Sequence, residues 1–381
     1  MLATLAAALD GSGPAILPLD PTLPEPVLAR AFEAFKPAAI QTMEGTRSLA
    51  DPVGPSSAAG VADDIAVVIS TSGSTGAPKG VQLTAAALTA SAAASLRRIG
   101  AGQGERWLCC LPTFHIAGIG VLVRSLLSGT EPVIAESADA DVIAESGCAH
   151  VSLVPTQLRR LLDAGCTPGP VKTVLLGGAA APDSLLAEAK LTGWRVVTTY
   201  GMSETCGGCV YDGRALDGVS VAASADGRIK IRGPVLFSGY RLQPQLTAAV
   251  MDDGWFVTSD LGEVTAAGQV TLRGRADDVI ISGGENIVPG EVEALLGASE
   301  GVADAVVVGV PDPEWGEAVT AFLIAADPGD PPDLARLRSN VRQALSAHAA
   351  PKRMLVVQEF PLLPSGKPDR AALRDLGRSR S

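Results

Sequence analysis

The stretch TSGSTGAPKG, Thr71 to Gly80, crowds hydroxyl side chains, glycines and one lysine into a single segment. Backbone N–H groups freed by glycine can wrap an anion, with the hydroxyls of Thr71, Ser72, Ser74 and Thr75 around it. The Lys79 ammonium adds charge. The spacing is not that of a Walker A loop, because Pro78 precedes the lysine and Gly80 follows it, where that motif needs Gly-Lys-Ser/Thr at a helix start. The blander reading is a surface turn. Lysine is scarce in this chain beside arginine, and Lys367, in PSGKPDR, is the other lysine set in a Gly/Pro/Ser loop. It too can meet an anion.

Further along, YGMSET (Tyr200 to Thr205) closes a predicted strand, and ligands of open α/β sheets gather at such carboxyl ends. Tyr200 can stack on a base, and Glu204 can hold Mg²⁺ that bridges phosphates. Asp260 and Arg275 flank a predicted hairpin. The carboxylate can accept both hydroxyls of a ribose, or the two can form a plain salt bridge. Cys206 and Cys209 match CxxC, yet no second CxxC or neighbouring His pair completes a zinc site. The pair also follows YGMSET directly instead of opening a thioredoxin-like βαβ unit, so small residues shaping a pocket wall are the better reading. His115, in PTFHIAG, is a core residue or a pocket residue on this evidence. Arg124, in GVLVRSLL, puts one charge on a predicted buried helix. Burying a guanidinium without a partner is costly, so Arg124 needs an anion. That anion is a structural Asp or Glu, or a substrate carboxylate held bidentately.

These residues need a scaffold, and the hydrophobic pattern describes one. Ile65–Ser70 reads as a buried parallel strand. Thr84 can cap a helix over 85–98. Similar strands recur at Trp107–Leu111, His150–Val154, Val171–Leu176 and Arg195–Thr199, each followed by a helical pattern, which implies a parallel α/β sheet. Past Tyr200, short strands at Gly227–Arg232, Gly262–Thr265 and Gln269–Arg273 indicate an antiparallel β-rich subdomain. Beyond Asp277 come strands Val302–Val310, Ala318–Ala325 and Arg353–Gln358 with a helix at Leu334–Ala347. The predicted architecture is a large N-terminal α/β domain with a β-rich subdomain, residues 1–276, plus a small α+β C-terminal domain, residues 277–381, which the family resemblance described below implies to be mobile. Residues 1–60 show little periodicity apart from a short helix at Pro26–Phe35.

The chain has 381 residues, with 30 basic against 41 acidic, a net charge of −11. That balance argues against a nucleic-acid or membrane-surface binder. With 47% hydrophobic and 19% charged residues the chain can bury a large core, and no apolar run is long enough to span a membrane. The N-terminal apolar run lacks a basic flank, which argues against a secretory leader. Six cysteines without a framework spacing point to a reducing compartment, the cytoplasm.

Taken together, TSGSTGAPKG, YGMSET, TSD, LRGRADDVIISGGENIVPGEVE and PSGKPDR, in this order, closely resemble the signatures of the adenylate-forming superfamily of acyl- and aryl-CoA ligases. The resemblance covers about residues 65–375 and implies two steps. A carboxylate attacks the α-phosphate of MgATP, giving acyl-AMP and pyrophosphate; the thiol of coenzyme A then displaces AMP. It implies that Thr71, Ser72, Ser74, Thr75 and Lys79 lie in the phosphate loop. Gly178, Ala179, Tyr200, Gly201 and Thr205 would line the nucleotide, Glu204 would bind Mg²⁺, and Asp260 and Arg275 the ribose and phosphate. Asp277 would be the hinge, Lys367 the adenylation lysine, and Gly283 and Gly284 the pantetheine channel. His115 would gate the acyl pocket that Gly201 also borders. Ser259 stands where the family usually has Gly, and the N-terminus is shortened.

The position of His115 carries Asp in members that activate amino acids, which disfavours such a substrate. FHIAGIGVLVR, VSLVPTQL and LGGAA are most similar to the o-succinylbenzoate–CoA ligase subfamily of menaquinone biosynthesis. That likeness implies that Arg124, with Ser152 near it, binds the aromatic carboxylate of the substrate; another aryl- or acyl-CoA ligase is the alternative. The expected partners are a small carboxylic acid, ATP and CoA, without nucleic acid or membrane insertion, and a homodimer is compatible with the sequence. A non-catalytic adenylate-binding protein would be favoured by loss of Lys367, Glu204 or Asp260, and all three are present.

Overall fold

The computed structural model describes residues 1–42, 44–49, 59–72, 78–363 and 367–379. Ser74, Thr75 and the side chain of Ser72 lie outside the described residues. Among the described residues, the large unit is built on a seven-stranded sheet. Its parallel part runs Val133–Ile134, Trp107–Cys109, His150–Leu153, Thr173–Leu176, Val196–Met202. Parallel neighbours need crossovers, and the helices Ile116–Leu127, Ala140–Glu145, Pro155–Asp163 and Asp183–Leu191 supply them. The three inner strands Trp107–Cys109, His150–Leu153 and Thr173–Leu176 are buried on both faces: Val151 and Val174 have no exposed surface.

The last parallel strand breaks the expected alternation, because no helix follows it. Ser203–Thr205 form one 3-10 turn, Cys206 takes φ of 54°, and Gly207–Tyr211 returns antiparallel to Val196–Met202. The two segments approach so closely that a Cβ on Gly201 would sit 2.0 Å from the Gly207 carbonyl oxygen. Only glycine fits there.

Ile65–Ser72 is not a parallel strand of this sheet, as its apolar run suggested. It pairs antiparallel with Pro78–Thr84, placing Thr71 opposite Lys79. The helix Leu2–Asp10, which sequence periodicity missed, and the helix Ala85–Ile99 belong to the same core: Leu5, Val67, Ile69, Val81, Leu83 and Leu88 are one cluster. A hairpin buried on both faces reads like a buried parallel strand, since neither shows alternation. Thr84 caps Ala85–Ile99 as predicted, accepting from the Ala87 N–H at 3.0 Å. The helix Glu25–Phe35 is tied to the body by Arg241, whose buried guanidinium donates to the carbonyls of Phe35, Ala59 and Gly60.

The β-rich part holds Ser220–Ala223, Arg228–Arg232, Trp255–Val264, Met251–Asp252 and Val270–Arg275, all antiparallel. The chain leaves this sheet at Arg275, makes the 3-10 turn Ala276–Asp278, and enters a second sheet at Ile280–Ser282. That sheet contains Glu285–Ile287, Val302–Asp312, Gly316–Ala325 and the parallel strand Arg353–Val357. The helices Pro289–Gly297 and Leu334–Ala344 join one side of its core, and Arg370–Ser379 the other. No described helix is long and apolar enough to cross a membrane.

Candidate active site

Strand ends place the candidates. Tyr200 and Gly201 end Val196–Met202, Gly178 and Ala179 follow Thr173–Leu176, and Asp260 lies on Trp255–Val264 directly opposite Arg275. The Tyr200 hydroxyl donates to Asp260 at 2.8 Å, and Arg275 Nη1 lies 3.4 Å from the same carboxylate. The Thr258 hydroxyl holds the Asp260 N–H at 3.0 Å. Burial first, then the Asp260 charge, pushes the Tyr200 phenol well above its ordinary value, so it stays a donor. The salt-bridge and ribose readings of Asp260 and Arg275 are compatible: a half-exposed ion pair contributes little to stability and leaves polar edges for a ligand.

Glu204 accepts from the Tyr240 hydroxyl at 2.8 Å. Lys79 Nζ stands 5.5 Å from the centre of the Tyr240 ring, so Tyr240 lies between the Glu204 carboxylate and Lys79. Sequence reasoning missed Tyr240; its only local signal is the short strand Gly239–Tyr240 pairing with Pro78–Thr84. Among the described residues no group of three or more Asp, Glu, His or Cys side chains is arranged to hold a metal ion. A lone carboxylate suits Mg²⁺, which keeps waters and takes substrate phosphates, and would not suit a structural zinc. Thr205 is fully buried, and its hydroxyl is committed to the Met202 and Gly207 backbone at 2.9 and 2.7 Å. It holds the turn that presents Glu204.

The loop carrying Lys367 reaches this group. Its side chain is exposed, yet enough protein surrounds it that desolvation, followed by the Arg275 charge, lowers its pKa, with Asp260 acting oppositely. His115, the residue before helix Ile116–Leu127, is lowered by desolvation first and by the Lys367 charge second. Its Nε2 is buried without a partner among the described residues. Lys367, Asp260, Arg275 and His115 therefore form one electrostatic group. Gly283 and Gly284, at positive φ of 61° and 84°, turn between Ile280–Ser282 and Glu285–Ile287. The neighbours of Gly283 are Trp315 and His348.

Arg124 projects from the last turn of Ile116–Leu127 and donates to the buried Ser152 hydroxyl at 2.9 Å. Its Nε is buried and unpartnered, and no carboxylate among the described residues pairs with it. The structural Asp or Glu that sequence reasoning allowed is thus not found there. The thiols of Cys206 and Cys209 are free and buried, and desolvation pushes that of Cys209 up to about 12. Neither is a ready thiolate, which leaves the pocket-wall reading.

Comparison with known proteins agrees with this geometry. The family model described as AMP-binding enzyme matches residues 20–224, and the AMP-binding enzyme C-terminal domain matches residues 291–367. The chain is 45% identical over 325 residues to a probable 2-succinylbenzoate–CoA ligase of Mycobacterium tuberculosis, covering 82% of this chain and 84% of that one. It resembles the o-succinylbenzoate CoA synthetase MenE of Bacillus subtilis, solved with the acyl-adenylate OSB-AMP, with 33% identity and a TM-score of 0.71 over 82% of this chain and 69% of that one. A variant of the amide bond synthetase McbA of Marinactinospora thermotolerans matches 98% of this chain and 87% of its own, at 27% identity and a TM-score of 0.83.

Proposed function

The chain belongs to the AMP-binding enzyme family, and from that premise we propose that it is an ATP-dependent o-succinylbenzoate–CoA ligase. The observation that carries the substrate choice is Arg124: a guanidinium bound to Ser152, with no carboxylate partner among the described residues. o-Succinylbenzoate has two carboxylates. The succinyl one must reach the α-phosphate, which leaves the ring carboxylate for Arg124.

In the first step the succinyl carboxylate oxygen bonds to the α-phosphorus, and the bond from phosphorus to pyrophosphate breaks. This chain's part is positioning and charge. Lys79 and the phosphate-loop hydroxyls would hold phosphates, Asp260 the ribose, and Lys367 the developing negative charge. Glu204 would hold Mg²⁺, which neutralises phosphate charge when bound. In the second step the CoA sulfur bonds to the acyl carbon, AMP leaves, and the thiol proton is lost. Release of pyrophosphate should be fastest with o-succinylbenzoate in a panel of aryl and acyl acids, with CoA thioester as product. A chain that ignores it and takes simple benzoates or fatty acids is another ligase of the family.

The two half-reactions need different groups beside the adenylate, so the small domain must turn. The hinge is placed at Asp277. Burial alone would raise its pKa, but bonds from Arg275 and Ser259 keep it below the ordinary value. The next residue, Asp278, faces Arg370 and Arg374 of the small unit at 3.7 and 3.9 Å. Adjacent residues are thus anchored to opposite bodies, which supports a domain boundary between them. Asp277→Pro fixes φ near about −65°. One half-reaction should then slow at least tenfold more than the other in single-turnover assays; equal slowing places the hinge elsewhere.

A further inference from the structure

The Arg124 guanidinium lies over the ring of Trp107, 4.5 Å from its centre. Trp107 is fully buried on the strand Trp107–Cys109. The imidazole of His150 packs against the same indole, with ring centres 4.8 Å apart. His150 is itself fixed by Glu105, which accepts from it at 2.9 Å and from Lys172 at 2.6 Å. One turn before Arg124, Gly120 leaves room for the guanidinium: a Cβ there would stand 3.3 Å from Nη1.

We propose that Trp107 is a positioning residue for substrate selection, whose ring, with the Cβ-free Gly120, holds Arg124 in the plane needed to receive a second carboxylate. The inference rests on the reading of Arg124 given above. A carboxylate in place of Trp107 would also stabilise the cation, but it would occupy the donors and neutralise the charge. An aromatic face attracts the cation without consuming a single N–H. The guanidinium stays charged at neutral pH and keeps donors for the substrate.

The test compares o-succinylbenzoate with benzoylpropionate, the same acid without the ring carboxylate. Trp107→Leu should raise the KM for o-succinylbenzoate about tenfold, the scale of a lost buried cation–π contact, with kcat within about twofold. Benzoylpropionate kinetics should not move. Trp107→Phe, which restores an aromatic face, should recover most of the loss. Gly120→Ala should raise the same KM while leaving thermal stability unchanged or higher, since alanine favours helix. In an Arg124→Leu background these substitutions should have no further effect. If Arg124→Leu discriminates between the acids but Trp107→Leu and Gly120→Ala do not, the positioning role falls alone. If Arg124→Leu itself does not discriminate, the substrate reading falls and takes this inference with it. Should Trp107→Leu fail to fold, Gly120→Ala and Trp107→Phe decide by the same KM comparison.

Discussion

Replacing Lys367 with alanine should slow acyl-adenylate formation by about 100- to 1000-fold, the scale of losing one preorganised charge on a developing oxyanion. Transfer from preformed acyl-AMP to CoA should change less than about threefold. The structure motivates the split. Lys367 sits on the loop of a separate unit, yet it shares one electrostatic group with Asp260, Arg275 and His115 on the large unit. Desolvation and the Arg275 charge both disfavour its ammonium there. Asp260 offsets only part of this opposition, and the phosphates of ATP would add the negative charge that holds the ammonium in place. Once pyrophosphate has gone, only the single charge of the adenylate phosphate faces the lysine, so the second step should depend on this residue far less. Stopped-flow measurement of pyrophosphate release, paired with thioester formation from synthetic acyl-AMP, separates the steps. Equal losses in both would remove Lys367 from the first step.

Much of this arrangement was legible in the sequence, for physical reasons that also mark where legibility ends. The strand carrying Ser152 is buried on both faces, so its apolar run announces it. Thr84 and its helix are written locally, in one hydroxyl and the residues after it. Chain direction is not local, and Ile65–Ser72 was read as parallel when it forms a hairpin. The helix Leu2–Asp10 was missed because it is short and alanine-rich, and only Leu5 and Ala8 within it are buried. Glycine-rich motifs mark candidate phosphate loops in the sequence, since a loop approaching phosphates must shed side chains. Tyr240 and Trp107 stayed hidden. Each acts through a contact far away in sequence, Glu204 for one and Arg124 for the other, and neither stands in a motif.

The most exposed expectation concerns Arg124→Leu. It should lower kcat/KM for o-succinylbenzoate by about 30- to 1000-fold, equivalent to roughly 2–4 kcal/mol of lost charge-assisted contact. Turnover of benzoylpropionate should change little. Leucine matches the buried stem of arginine, and it removes an unpaired Nε as well as the charge. Desolvation already disfavours the Arg124 cation, with Tyr211 and Cys109 pulling the other way. Leucine also gives up the bond to the buried Ser152 hydroxyl and the contact with Trp107, so the two effects oppose each other and the melting temperature should move by no more than a few degrees. This separates a binding role from a structural one. A structural arginine, replaced by leucine, strands its partner and lowers stability together with activity toward every acid. A binding arginine has no carboxylate to strand, so its loss leaves the empty protein near its original stability and costs only the substrate that carries the second carboxylate. Arg124→Lys should rescue little, because a single ammonium cannot reproduce the planar bidentate fork. Loss of both acids alongside a lowered melting temperature would make Arg124 structural and leave ligase chemistry without an assigned selector.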